Sequence, residues 1–207
     1  MYRLTEILPA ASGERLLLRL FSDCGEAVTV NISCKTYSEL GLKKGELPDE
    51  VAEKLLSSAE YEKAVIKGLS ILGYGQNSAR TMRTKLIQKG FSSENADRAT
   101  RYLISHGYID EAKDAVRLCE SMLKKKYGRK RILSALRAKG YGNGAVTAAE
   151  EMLENADFVS NCAELIRTKF KNLPKDRDEI QKAIAKLSAL GYNLTEIKTA
   201  LRRAGGC

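Results

Sequence analysis

The sequence predicts a mainly α-helical protein, with a small N-terminal module of strands and helices followed by three tandem three-helix repeats. Short β-like runs separated by turn residues occur only near the N-terminus, before residue 33. In the rest of the chain, Leu-x-x-x-Gly-aromatic segments around Gly90, Gly140 and Gly191 follow one another at intervals of fifty and fifty-one residues. Apolar residues between these patterns follow helical spacing. Stacking such repeats would give an elongated, curved body of about nine helices.

The N-terminal module contains three β-like runs and two helical runs. Ala-Ser-Gly and Asp-Cys-Gly separate the strands, and both are turn sequences. The sequence therefore predicts a three-stranded antiparallel meander that packs on a helix, because three short strands bury little surface alone. The predicted strands are 2–8, 15–21 and 27–32, and the helices are 33–40 and 48–57.

The repeats are defined by Gly90, Gly140 and Gly191, each of which follows an amphipathic helix and precedes an aromatic residue. Glycine at this position predicts a left-handed residue just after the helix, with the aromatic residue packing back onto it. The other helices of the repeats are predicted over 60–72, 94–106, 111–125, 145–153, 158–170 and 195–204. The corresponding domain boundaries are 1–58, 59–107, 108–157 and 158–207.

Charge is unevenly distributed along the chain. Residues 1–60 contain seven Lys/Arg and ten Asp/Glu, whereas residues 61–207 contain 28 and 16. The basic part favours an anionic partner, although net charge alone is equally compatible with a merely solvated surface. The chain has no apolar run long enough for a membrane span and no signal-peptide pattern. Five scattered cysteines and one histidine predict free thiols, a cytoplasmic protein and no zinc site or other cofactor.

No catalytic arrangement is evident, so a non-enzymatic protein is predicted. His106 precedes Gly107 at a predicted helix end, where it can interact with the last carbonyl groups. The acidic residues at 176, 178 and 179 follow Pro174, and this placement favours helix capping over metal binding. The glycines at 68, 73 and 75 match no phosphate-binding loop.

The most basic segment is 113–139, with ten Lys/Arg and two acidic residues. Cations at 124–126 suit a helix C-terminus, but Arg129, Lys130 and Arg131 open the next helix at its unfavourable end. They suggest an external anion, either a phosphate or acidic side chains of a partner. Tyr127 is a candidate for base stacking, with packing in the turn as the alternative. The candidate partner- and DNA-binding residues are Lys124, Lys125, Lys126, Arg129, Lys130, Arg131, Arg137, Lys139, Arg80 and Arg83.

Residues 106–111 (His-Gly-Tyr-Ile-Asp-Glu) and 126–132 (Lys-Tyr-Gly-Arg-Lys-Arg-Ile) resemble the RecX family, and the resemblance extends over about 59–204. The acidic N-terminal module is similar to the extra segment of family members from low-GC Gram-positive bacteria. There are departures from the family pattern: Arg129 replaces a frequent Pro, Ala135 replaces a frequent Glu, and the aromatic residue expected before Ala115 is missing.

The resemblance implies a monomeric regulatory protein without a membrane segment that binds RecA recombinase filaments on single- or double-stranded DNA. It would modulate, with inhibition as the expected direction, ATP hydrolysis, strand exchange and recombinational DNA repair, and through them homologous recombination and the SOS response. Two alternatives stay open. One is an autonomous DNA-binding protein that acts without the recombinase. The other is a protein scaffold that never meets nucleic acid.

Overall fold

The structure, a computed structural model, describes residues 1–10, 13–169 and 176–205. Four strands and ten helices are present in this part of the chain, which confirms the mainly helical class. None of the helices in the described ranges is long and apolar enough to cross a membrane. The elements are β1 (Tyr2–Pro9), β2 (Arg15–Ser22), β3 (Ala27–Ser33), α1 (Cys34–Glu39), β4 (Gly45–Leu47), α2 (Asp49–Gly73), α3 (Ala79–Gln88), α4 (Ser93–Ser105), α5 (Glu111–Lys124), α6 (Arg129–Ala138), α7 (Asn143–Glu154), α8 (Phe158–Lys169), α9 (Arg177–Ala189) and α10 (Leu194–Gly205).

The four strands form one antiparallel sheet in the order β3-β2-β1-β4. The predicted meander is confirmed, but β4 was missed because three residues are too short for an alternating pattern to show. One face of the sheet is closed by α2, so that apolar residues of both elements share a core. The fully buried side chains of this core include Leu4, Leu18, Leu20, Ile32 and Leu55.

Helix α2 runs without a break from Asp49 to Gly73. The prediction of two separate helices over 48–57 and 60–72 is wrong, because Ser57 and Ser58 between them do not terminate a helix and good helix formers follow. The predicted domain boundary after residue 58 falls inside this helix.

The chain divides into two compact units. Unit 1 contains Met1–Gly75 and Met82–Tyr108, and unit 2 contains Gln76–Thr81 and Ile109–Cys207. The division into four sequence modules stays a prediction. In unit 2 the main core is built from α5 to α10 and includes the fully buried Ala115, Cys119, Ile132, Leu136 and Ile197.

Helix ends repeat as predicted at Gly90, Gly140 and Gly191, whose φ angles are +91°, +76° and +98°. In each case the N–H of the following aromatic residue donates to the carbonyl five residues earlier; Phe91 donates to Leu86 O at 3.3 Å. This is the hydrogen-bonding pattern of a Schellman helix end. The prediction that glycine ends the second helix of each repeat is confirmed.

A second repeated feature was not visible in the sequence. Glu60 in α2 accepts the N–H of Ser92 just before α4, and Glu111 at the start of α5 accepts the N–H of Gly142 just before α7 at 3.1 Å. Each carboxylate therefore binds a free N–H at the start of the third helix of its repeat. Because the partners are about 30 residues apart, no local pattern could predict the pairing.

Glu62 joins the sheet to α2. Its carboxylate accepts the Ser33 N–H at 2.8 Å and the Ser33 hydroxyl at 2.7 Å, and it also accepts the Thr36 hydroxyl. The Arg15 guanidinium lies 2.7 Å from the same carboxylate, and both side chains are largely buried. One charge of α2 thus fixes the end of β3 and the start of α1 and β2.

The Glu62 carboxylate gives the N-terminal module a pH-dependent stability. Burial alone would raise the pKa of Glu62, but the hydrogen bonds from Thr36 and Ser33, together with Arg15, outweigh burial and hold the pKa below its ordinary value. A lowered pKa stabilises the fold above the unfolded-state pKa, and this stabilisation is lost as pH falls through the folded-state pKa. We expect Glu62→Gln to lower the free energy of unfolding at pH 7 by about 1–2 kcal/mol. The difference from wild type should shrink below about pH 4.

Urea denaturation at neutral and acidic pH measures this difference. Glu53→Gln, an exposed substitution on the same helix, is the matched control and should change little at either pH. An equal loss from both substitutions at pH 7 would contradict the role of Glu62.

Candidate binding surface around helix α6

The predicted basic cluster lies where α5 ends and α6 begins. Lys124 and Lys125 are exposed at the end of α5. Lys126 follows with φ = +58°, the one positive φ outside glycine in the described ranges. Its N–H donates to Leu123 O at 2.8 Å, and the N–H of Tyr127 donates to Met122 O at 3.1 Å. Lys126 therefore occupies the position that glycine holds at the other repeated helix ends.

Lys126 is bound inside unit 2. Its ammonium lies 2.8 Å from the Glu164 carboxylate and donates to Asn161 Oδ1 at 2.9 Å. Its carbonyl accepts the hydroxyl of Tyr192 at 2.8 Å, and Tyr192 is 2% exposed. Lys126 thus holds the α5–α6 turn against α8 and the turn after α9.

The N-terminus of α6 packs on the C-terminus of α9. The N–H of Gly128 donates to Leu190 O at 2.8 Å, and the N–H of Lys130 donates to Gly191 O at 3.1 Å. The Arg131 guanidinium donates to Ala189 O at 3.1 Å. The interpretation that the cations at this helix start suggest an external anion stays a prediction, but for Arg131 the carbonyl groups that end α9 already supply a partial negative charge.

The same kind of junction occurs at the other end of α6. The carbonyl of Lys139 accepts the hydroxyl of Ser78 at 2.7 Å and that of Thr81 at 2.9 Å. Ser78 precedes α3, and Thr81 lies in its first turn. The C-terminus of α9 therefore meets the N-terminus of α6, and the C-terminus of α6 meets the N-terminus of α3. Opposite ends of helix dipoles adjoin at both junctions.

The close approach at the α6–α9 junction requires glycine on both sides. A Cβ atom on Gly128 would lie 2.3 Å from the carbonyl carbon of Gly191. A Cβ atom on Gly191 would lie 2.5 Å from the backbone nitrogen of Arg131. Neither neighbour is a flexible side-chain end, so the backbones would have to separate.

The ten candidate cations separate into bound and available groups. In unit 1, Arg83 pairs with Asp97 and donates to the hydroxyl of Ser93. In unit 2, Arg137 approaches Glu150 at 3.7 Å, and Arg131 lies 4.6 Å from the centre of the Tyr127 ring. Arg129 is half-buried, and Arg80 is exposed but has a local contact.

Four candidates are exposed and have no carboxylate partner within the described ranges. They are Lys124, Lys125, Lys130 and Lys139. Two open grooves lie over the junctions of α6. One, of about 450 Å³, is lined by Lys130, Ser134, Ala138 and Ser188, and the other, of about 490 Å³, by Arg80 and Arg137.

The other polar candidates have structural roles. The Nδ1 atom of His106 lies 2.9 Å from Tyr102 O and its ring stacks on Tyr102 at 3.9 Å, so the predicted contact with a terminal carbonyl is confirmed. Asp176 accepts the N–H of Glu179 at 2.7 Å, as predicted for a helix cap. Across the described ranges no group of His, Cys, Asp and Glu is arranged to hold a metal ion.

Besides Tyr192, three ionisable side chains in the described part of unit 2 are buried, and sequence reasoning did not single them out as ionisable groups. Burial raises the pKa of the Cys119 thiol to about 11 and that of Cys162 to about 12. Burial also raises the pKa of Asp114, and this effect outweighs the lowering caused by the Arg117 guanidinium 3.7 Å away. The two thiols are protonated at neutral pH and are poor nucleophiles, because the thiolate is the reactive form.

These features define a helical-repeat protein with exposed cations around α6. No family model matches the chain. It is 30% identical over 142 residues to regulatory protein RecX of Pelodictyon phaeoclathratiforme, covering 67% of this chain and 87% of that relative. It is 24% identical over 169 residues to regulatory protein RecX of Clostridium acetobutylicum, covering 78% of each. The chain belongs to the RecX family of regulatory proteins.

Two crystal structures share the fold. A regulatory protein RecX superposes with a TM-score of 0.73 at 19% identity, over 96% of this chain and 99% of that one. RecX from Lactobacillus salivarius superposes with a TM-score of 0.60 at 18% identity, over 72% and 98%.

The junction geometry predicts a large difference between two glycine substitutions at helix starts. We expect Gly128→Ala to lower the free energy of unfolding by about 3 kcal/mol or more, because its Cβ would overlap the Gly191 backbone. Gly144→Ala, in the first turn of α7, has open space and should stabilise by about 0.5–1 kcal/mol. Chemical denaturation of both variants provides the measurement. A neutral Gly128→Ala would show that the junction is looser than described.

Proposed function

We propose that this protein binds RecA recombinase filaments on DNA and lowers their ATP hydrolysis and strand exchange, and thereby recombinational DNA repair. Membership of the RecX family supports the partner. The observation that carries the site is the group of four exposed lysines around α6, Lys124, Lys125, Lys130 and Lys139, which lack carboxylate partners in the described ranges. A filament on DNA offers both acidic side chains and phosphates to such a surface.

The proposed mechanism is differential binding. A bound protein changes ATP turnover only if it binds one conformation of the filament more tightly than another. The two junctions fix the ends of α6, so the lysines on and around it are presented from a braced helix. A rigid array of charges favours the filament state whose anionic groups match its spacing. No catalytic step by this protein is required.

Autonomous DNA binding is the second candidate. The groove over the α6–α9 junction favours it, because the small side chains of Ser134, Ala138 and Ser188 leave room for a sugar–phosphate backbone beside Lys130. Binding of this kind should weaken steeply with salt, with a slope of about 0.9 for each phosphate contacted in duplex DNA.

The test uses recombinase filaments assembled on single-stranded DNA. Wild-type protein is expected to lower ATP hydrolysis, and the triple variant Lys124→Glu/Lys125→Glu/Lys130→Glu should need at least about tenfold more protein for the same effect. Arg3→Glu/Lys43→Glu/Lys44→Glu makes the same charge change at exposed positions of the N-terminal module and should act like wild type. Lys126 and Arg131 are left intact because both are bound within unit 2.

Separate outcomes distinguish the two candidates. If wild-type protein at several-fold excess does not lower ATP hydrolysis by the filaments, the filament proposal is overturned. Tight binding to duplex DNA without recombinase, lost in the triple variant, would instead support autonomous DNA binding. An equal loss of activity in both triple variants would show that the α6 surface contributes to neither function.

A further inference from the structure

Unit 1 contains an open groove of about 510 Å³ beside the edge strand β3. One wall is β3, the floor is α2, and the other wall is the end of α3 at Lys89, Gly90 and Phe91. No residue of the proposed α6 surface lines this groove. An inference drawn from it therefore goes beyond the proposed function and does not depend on it.

The backbone of β3 offers hydrogen-bonding groups to the groove. The N–H of Cys34 donates to Glu14 O on the β2 side, whereas the N–H of Ser33 points to Glu62 on α2. The backbone N–H and C=O groups of successive strand residues point to opposite sides, so those of every second β3 residue point away from β2. The residues whose backbone groups point outward are Ala27, Thr29 and Asn31. Among the described residues no partner is recorded for the backbone of Thr29, whereas the Asn31 carbonyl accepts the Arg15 guanidinium at 2.9 Å, so the edge is free to pair at Thr29.

The floor of the groove is an apolar stripe. Leu56, Ala59 and Ile66 recur at helical spacing along one face of α2. Ile66 lines the groove and is 52% exposed, so its apolar side chain is accessible to an occupant of the groove. A strand added beside β3 would place alternate side chains over this stripe, because neighbouring side chains point to opposite faces of a sheet.

The charge of the rim specifies the chemistry of the occupant. Lys63 and Lys89 are exposed at the rim and lack an ion-pairing carboxylate among the described residues. The acidic Glu60 also lines the groove, but its carboxylate accepts the N–H of Ser92 and the Asn95 amide. Glu60 keeps its negative charge, but with Lys63 and Lys89 against this one carboxylate the rim carries a net positive charge.

We propose that this groove binds an extended acidic peptide segment of a partner protein, which adds as a strand to β3. Main-chain hydrogen bonds to the N–H and carbonyl of Thr29 and to the N–H of Asn31 hold the peptide, because the Asn31 carbonyl already accepts the Arg15 guanidinium at 2.9 Å. Apolar side chains at alternate positions contact Leu56, Ala59 and Ile66. Acidic side chains pair with Lys63 and Lys89. This combination of backbone pairing and alternating pockets is the general mode of β-strand addition.

Selection of a phage-displayed library of random nine-residue peptides on the full-length protein tests the proposal. Selected peptides should alternate apolar residues with Asp or Glu and lack proline at the paired positions. The affinity of one selected peptide, made synthetically, is then measured by fluorescence anisotropy. Thr29→Pro should weaken it at least about tenfold, because proline removes an outward N–H yet is tolerated in an edge strand.

Lys63→Glu/Lys89→Glu tests the charge independently and should also weaken binding at least about tenfold. Lys43→Glu/Lys44→Glu is the matched control and should bind like wild type. If Thr29→Pro fails to fold, the Lys63/Lys89 variant decides. Selection without alternating acidic sequences, or binding unchanged in both variants, would overturn the proposal. So would a dimer of the wild-type protein, detected by sedimentation, that Thr29→Pro dissociates, because β3 would then pair with a second copy.

Discussion

The backbone contact between α6 and α9 is the constraint on which the basic surface depends. A helix start leaves N–H groups without partners and a helix end leaves carbonyl groups without partners. Here the N–H groups of Gly128 and Lys130 donate to the carbonyl groups of Leu190 and Gly191, respectively. The start of α6 and the end of α9 therefore supply hydrogen-bond partners to each other. The contact is possible only because neither Gly128 nor Gly191 has a Cβ atom. Since the opposite end of α6 is bound through Lys139 to Ser78 and Thr81, both ends of this helix are fixed.

This arrangement also explains how three cations are tolerated at the start of α6. An isolated helix N-terminus repels cations by roughly 0.3–1 kcal/mol each, but the carbonyl end of α9 adjoins this N-terminus and reverses part of that field. Arg131 responds to it directly by binding Ala189 O and covering the Tyr127 ring. Lys130 uses its backbone N–H in the junction and keeps its side chain exposed. Adjacent cations in the sequence therefore have different roles.

Sequence reasoning succeeded where the signal is local. The glycine-ended helices were predictable because the left-handed position after a helix selects glycine, and Asp176 was predictable as a cap for a similar reason. It failed where partners are distant or a signal is missing. The carbonyl that binds Arg131 is 58 residues away, and Lys126 meets Glu164 and Asn161 on another helix. The unbroken α2 was missed because the helices predicted over 48–57 and 60–72 left a gap at which no helix-terminating residue stands.

Lys126 shows why a count of charges overstates the candidate surface. Its left-handed backbone costs about 1 kcal/mol relative to glycine, so a purely external role could be filled by a residue without that strain. The same conformation carries the ammonium to Glu164 and Asn161 and presents the carbonyl to Tyr192. These three contacts offset the strain and anchor the turn from which Lys124 and Lys125 project. The third lysine of the run is therefore part of the support for the first two, whose side chains stay exposed.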